Sequence, residues 1–250
     1  MQFCRRDYFK DTDFEMASHK KFFSIAIDGP SGAGKSSLAK ALAEKLGFMY
    51  LDTGALYRAV GLYVCTAGVG GHETKKIADL IKNKKIAIDV AYQNGEQKVF
   101  LNGADVSGKI RENQISKYAS DVSKVPEVRD FLLETQREAA KKNNIVMDGR
   151  DIGTVILPDA NVKIFLTSSP GERARRRYEE LKEKGHALEY TAILNEINAR
   201  DAQDKNREAA PLKPAEDAVT LDNSDCGSPA DTLGLAMDII KEILPDVCVR

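Results

Sequence analysis

The run Gly29-Pro30-Ser31-Gly32-Ala33-Gly34-Lys35-Ser36 has the residue types and spacing of a loop that cradles phosphate. Glycines at positions 29, 32 and 34 allow backbone turns closed to residues with a Cβ, so that successive N–H groups converge on phosphate oxygens. Lys35 adds a charge for the outer phosphates, and the hydroxyl of Ser36 is a ligand for Mg²⁺. Ser31, Ala33 and Ser37 complete the cradle, which alone does not separate GTPases, ATPases and small-molecule kinases. The segment Asn83-Lys84-Lys85-Ile86 begins like a guanine-reading motif but lacks its aspartate, which argues against a GTPase.

A transferase that uses such a cradle must also hold an anionic acceptor, so further cations are expected near it. Leu51-Asp52-Thr53-Gly54-Ala55-Leu56-Tyr57-Arg58 falls where a short apolar run passes into helical spacing. Asp52 there caps a helix or serves a ligand, Thr53 is placed to contact phosphate, and Arg58 points either to solvent or into a cleft. The run Asp148-Gly149-Arg150-Asp151-Ile152-Gly153-Thr154 follows another apolar segment, with Asp148 placed to orient a Mg²⁺ shell. Arg173, Arg175, Arg176 and Arg177 lie within one helical stretch, either as a solvated face paired with Glu179 and Glu180 or as a lid over a transferring phosphoryl group. Arg200, Asp204 and Arg207 fall at i, i+4 and i+7, and a salt-bridge ladder explains them almost as well as ligand contacts do.

These motifs need elements to position them. Short apolar runs (22–27, 48–51, 145–147, 162–167 and 218–221) alternate with helical stretches, the pattern of an α/β protein with a parallel sheet. Residues 35–46 and 53–64 carry apolar stripes at helical spacing, and Ser228-Pro229 opens a last helix. About ninety residues separate the second and third runs, far more than a crossover needs. Strands at 85–90 and 98–101 around Asn94-Gly95, a second turn at Asn102-Gly103, and helices near 113–123 and 126–142 make this an inserted α+β lobe. The expected division is a core of 21–64 and 143–250 with a lid at about 168–186, a lobe of 65–142, and a disordered leader over 1–20. An upstream start preceding one at Met16 is the other reading of that leader.

The 250 residues suffice for one such core. Lys+Arg (37) and Asp+Glu (38) nearly cancel, so a generally basic surface for nucleic acid is not indicated. No apolar run approaches a membrane span, and the leader lacks the apolar segment of a secretory signal. Four scattered cysteines, Cys4, Cys65, Cys226 and Cys248, suggest neither zinc nor disulfides, so a reducing cytoplasm is expected, and with no exposed apolar stripe in the sequence a monomer is the default.

Together, the runs at 29–37, 51–59, 148–154 and 200–207, with Ala210-Pro211-Leu212, resemble bacterial cytidylate kinases of the nucleoside monophosphate kinase superfamily, from about Phe22 to Leu244. The resemblance implies a five-stranded parallel core, a nucleotide-binding lobe with a three-stranded sheet, and a short lid. It implies Mg²⁺-dependent transfer from ATP to CMP or dCMP. Thr53, Arg58 and Arg150 would then hold the CMP phosphate, Ser120, Arg129 and Asp151 the cytosine, and Arg200 and Asp204 the sugar. Arg207 would organise the phosphate and base region, with Arg173 and Arg177 as lid arginines. The tract 223–229 is atypical and is expected to touch none of these residues. The rivals are a P-loop kinase for UMP, shikimate or gluconate, and a nucleic-acid-stimulated ATPase.

Overall fold

The computed structural model describes residues 22–83, 86–93, 96–183, 185 and 189–245; the leader and the Asn94-Gly95 turn lie outside them. In chain order come β1 (Ser24–Asp28), α1 (Lys35–Leu46), β2 (Met49–Asp52), α2 (Thr53–Thr66) and α3 (Thr74–Lys82). There follow β3 (Ile88–Gln93), β4 (Glu96–Leu101), β5 (Ala104–Asp105), a 3₁₀ turn at Lys109–Arg111, α4 (Asn113–Val122) and α5 (Pro126–Lys142). The chain closes with β6 (Ile145–Gly149), a π-helical turn at Ile152–Ile156, β7 (Val162–Thr167), α6 (Pro170–Glu183), α7 (Tyr190–Asn206), β8 (Val219–Asp222) and α8 (Pro229–Ile243).

The five strands expected of the core form one sheet in the order β2-β6-β1-β7-β8. All its pairings are parallel. Its central strands read as continuous apolar runs because both faces are covered. Leu38 and Leu42 of α1 pack with Ile25, Ile27, Val146 and Ile164 of the sheet and with Met237 and Ile240 of α8. The opposite face buries Leu51 and Met147 against Ile152 and Ile156 of the π-helical turn and Leu133 of α5. Ser228 caps α8 in a reciprocal capping box with Asp231, and Pro229 occupies the first turn.

Between β2 and β6 lies a three-stranded antiparallel sheet, β3-β4-β5. Asn102 (φ 50) and Gly103 (φ 82) supply the two positive φ angles that a two-residue hairpin demands, with Leu101 opposite Ala104. The stripe Leu56, Val60 and Val64 of α2 packs into a cluster with Ile77 and Ile81 of α3, Val99 of β4, Val122 of α4, and Val128 and Leu132 of α5. Helix α3 was not expected from the sequence. Among the described residues no helix is long and apolar enough to cross a membrane.

One glycine fixes how closely the loop after β1 approaches the sheet. Gly29 has φ 149, and a Cβ there would lie 1.9 Å from the carbonyl oxygen of Leu166 in β7. Backbone cannot yield as a side chain does. Gly29→Ala is therefore expected to lower unfolding free energy by about 3 kcal/mol or more, measured by urea denaturation.

Candidate active site

The β1–α1 loop and the ends of β2 and β6 open onto one cleft of about 550 Å³, within the range of small-molecule sites. Gly32 and Gly34 of the loop take positive φ angles (78 and 91). Lys35 is buried, and its Nζ donates to the carbonyl of Pro30 at 2.7 Å. Burial, with the Arg150 guanidinium nearby, depresses its pKa well below the usual lysine range. The Ser36 hydroxyl donates to Asp148 Oδ2, and the Tyr50 hydroxyl to Asp148 Oδ1, each at 2.9 Å. Burial pushes the Asp148 carboxyl up to about 6, helped by Asp52 and resisted by Lys35 and the two hydroxyls.

Among the described residues no cluster of three or more His, Cys, Asp or Glu side chains is arranged to hold a metal ion. The hydroxyl–carboxylate pair Ser36–Asp148 nevertheless suits Mg²⁺, which takes one or two protein oxygens and completes its shell with water and substrate phosphate. The cradle has a further support. Asn223 is buried and its Nδ2 donates to Ala33 O at 3.0 Å. The expectation that the tract 223–229 stays clear of the cradle was wrong, because Asn223 is carried there by the end of β8.

On the acceptor side Asp52 does cap α2, accepting from Ala55 N at 3.0 Å. Arg58 turns toward the cleft, its Nη1 4.0 Å from Asp52 Oδ2. The Thr53 hydroxyl donates to Asp148 O at 2.7 Å, which ties the start of α2 to β6. Arg150 Nε donates to Asp204 Oδ2 at 2.8 Å, so Asp204 is held across elements and not by a ladder along its own helix. Arg200 is half-buried beside Arg150 and Arg58, and among the described residues its Nε has no hydrogen-bond partner. Burial and those two like charges lower its pKa.

Asp151 forms an ion pair with Arg129 and lies 3.4 Å from Arg207 Nη2. Arg207 does not share the α7 face expected for it. The helix ends at Asn206, and Arg207 is extended beyond it, donating to Ala210 O. This turn brings it back over Asp151. The Ser120 hydroxyl accepts from Gln203 Nε2 at 2.6 Å, and Ser120 lines the cleft.

The arginine run divides. Arg173 is 2% exposed, paired through two nitrogens with Asp201 of α7 (3.0 and 2.5 Å), and donates to Ser31 O and Ser168 O. It is a strut between α6, α7 and the cradle. Arg175 and Arg177 are half exposed and pair with Glu172, Glu179 and Glu180 of their own helix, the solvated-face reading. Neither Arg173 nor Arg177 is among the described residues lining the cleft, although Glu180 of α6 is.

Several residues escaped the sequence reading. Asp28, last in β1, accepts from Ile152 N and Gly153 N, both at 2.7 Å, and so sets the turn that follows Arg150 and Asp151. Burial pushes its carboxyl up to about 6. Its signal was an acid ending an apolar strand immediately before Gly29. Tyr50, Asn223 and the cleft residue Arg111 carried no such signal.

A family model described as cytidylate kinase matches residues 25–242. A cytidylate kinase from Caldicellulosiruptor saccharolyticus is 51% identical over 204 residues, which cover 82% of this chain and 89% of that protein. A cytidylate kinase from Pasteurella multocida is 46% identical over 222 residues, covering 88% of this chain and 96% of that one. Among solved structures, a shikimate kinase from Bacteroides thetaiotaomicron superposes with a TM-score of 0.42 at 13% identity, over 89% of this chain and 98% of that one.

The raised carboxyl of Asp148 has a sign that can be measured. Its folded pKa, about 6, exceeds the ordinary 3.8. Its contribution to stability is therefore fully present below pH 3.8 and is lost as pH rises through 6. In Asp148→Asn an amide can still accept from Tyr50 and donate to Ser36, without charge. The variant is expected to be more stable than the parent by about 1–3 kcal/mol at pH 8, with the gain vanishing near pH 4. Urea denaturation at three pH values checks this.

Proposed function

The chain belongs to the cytidylate kinase family, a nucleoside monophosphate kinase that phosphorylates CMP from ATP, and we propose how its cleft does so, with dCMP as a second acceptor and Mg²⁺ as cofactor. The observation that carries this reading is Arg200. Its half-buried guanidinium, with an Nε that finds no partner among the described residues and with Arg58 and Arg150 as like-charged neighbours, supports an anion among these three arginines.

The acceptor phosphate would sit among Thr53, Arg58 and Arg150 at the junction of β2, α2 and β6. Asp204 now holds Arg150, an arrangement that keeps the guanidinium aimed until phosphate arrives. Arg200, beside that phosphate, and Asp204 would then reach the sugar. Asp151, Arg129 and Ser120 meet at the other end of the cleft as the cytosine pocket, with Arg207 over Asp151. Asp151 accepts from the N4 amino group of cytosine and repels the O4 of uracil.

The donor phosphates would lie in the loop of Gly29, Ser31, Gly32, Ala33, Gly34, Lys35, Ser36 and Ser37. Mg²⁺, held by Ser36 and Asp148, would supply charge neutralisation there. No protein base is needed, because the CMP phosphate is itself the nucleophile. The chain's own residues position the two phosphates in line, neutralise charge and exclude water.

For the lid arginines, energetics separates the two. The exposed Arg177–Glu180 pair contributes at most about 1 kcal/mol and exchanges readily. The buried, doubly bonded Arg173–Asp201 pair does not. We therefore assign the reach over the transferring group to Arg177 and the support of the cradle to Arg173. We also read the enzyme as a cytoplasmic monomer acting on small-molecule nucleotides and not on nucleic acid, consistent with the free thiols of Cys65 and Cys226 and the near-neutral charge.

A coupled assay over CMP, dCMP, UMP and AMP with ATP tests the assignment. CMP and dCMP are expected to exceed UMP in kcat/KM, and Asp151→Asn to narrow that preference by about tenfold or more. Comparable turnover of UMP and CMP by the parent would sink the base pocket. Lys35→Ala is expected to abolish transfer while leaving the unfolding transition intact, and normal turnover in it would remove the cradle from the mechanism.

A further inference from the structure

The strand β2 lies at the edge of the five-stranded sheet, so among the described residues one side of its backbone has no neighbouring strand. In a parallel pairing alternate residues turn their peptide groups toward the neighbour. Met49 N donates to Asn144 O on the β6 side, and Leu51 shares that parity. Tyr50 and Asp52 therefore turn outward, where their polar groups need other partners.

Those partners come from the inserted sheet. Tyr92 of β3 and Gln97 of β4 are directly opposed in the antiparallel register, so their side chains share one face. The Tyr92 hydroxyl donates to Tyr50 O. Gln97 Oε1 accepts from Asp52 N at 2.7 Å, and its Nε2 donates back to Asp52 O at 3.3 Å. One cross-strand pair thus takes the place of a sixth strand at two successive outward positions of the edge.

The grip falls where the acceptor site is set. Asp52 is the last residue of β2 and the N-cap of α2. Thr53 follows immediately, and Arg58 stands 4.0 Å from the Asp52 carboxylate. We propose that Gln97 and Tyr92 are positioning residues: they clamp the β2–α2 junction from the inserted sheet and thereby fix Thr53 and Arg58 for the acceptor phosphate. Neither residue is among the described residues that line the cleft. The kinetic consequence rests on the function proposed above, whereas the clamp itself does not.

The test uses the full chain with Gln97→Leu and Tyr92→Phe. In the ligand-free protein, Gln97→Leu is expected to speed amide hydrogen exchange across residues 50–58 by about tenfold or more, leaving residues 31–37 within about twofold of the parent. In the coupled assay KM for CMP is expected to rise by about fivefold to twentyfold, with KM for ATP and kcat nearly unchanged. Tyr92→Phe removes one hydroxyl and is expected to show a smaller change in the same segment, which keeps the question open if Gln97→Leu fails to fold. Exchange that is unchanged at 50–58 in both variants, or that quickens equally everywhere, overturns the clamp. A parent chain that does not phosphorylate CMP would overturn the functional reading instead, with the exchange result still deciding the clamp.

Discussion

The register of three adjacent parallel strands sets up everything at the site. Asp52 of β2 lies opposite Asp148 of β6, and Asp148 lies opposite Ile27, one residue before Asp28 of β1. Three strand-end carboxylates are thus delivered to one level of one sheet, where parallel topology also places the starts of α1 and α2. Each then takes different work. Asp28 holds the turn after β6 by two backbone N–H groups, Asp52 caps α2, and Asp148 gathers Ser36 and Tyr50.

Such crowding of acids is unfavourable unless cations answer it. Burial pushes both Asp28 and Asp148 to about 6, which measures how poorly the site solvates negative charge without a partner. The cations are equally uncomfortable, because burial and neighbouring arginines lower the pKa values of Lys35 and Arg200. Charges of both signs are therefore held away from water with incomplete compensation. On the function proposed above, a phosphate would relieve the cations and a divalent ion would relieve Asp148, leaving binding energy for alignment.

Much of this was legible in the sequence, for local reasons. The cradle is contiguous, and its glycines stand where positive φ is required. The stripes of α1 and α2 follow from helical periodicity, and the hairpin at Asn102-Gly103 from the only residue types that fit its turn. What the sequence hid depends on partners far along the chain. Arg173 is buried because Asp201, twenty-eight positions on, meets it. Arg207 left its expected helix face because α7 stops one residue earlier and the following turn folds back on Asp151. The short helix α3 offers only Ile77, Ala78 and Ile81 as an apolar face, and the π-helical turn Ile152–Ile156 is too brief for periodicity to declare. Ser120 and Arg129 were visible only through family resemblance, since nothing in their local spacing marks them.

The long insertion also acquires a physical rationale. Its elements keep a largely separate apolar cluster with α2, joined to the sheet's core mainly through α5 and Val90. Across the cleft they meet the rest of the chain through polar contacts: Tyr92 and Gln97 on the β2 edge, Gln203 on Ser120, and Arg129 on Asp151. Neutral hydrogen bonds of this kind contribute only about 1 kcal/mol each, and charged ones somewhat more. An apolar interface of the same extent would resist rearrangement far more strongly. The insertion is therefore attached firmly through its apolar cluster with α2 and more lightly through these polar contacts. On the function proposed above, that distribution suits a lobe that keeps the α2 end fixed for the acceptor phosphate while its polar contacts exchange over the base.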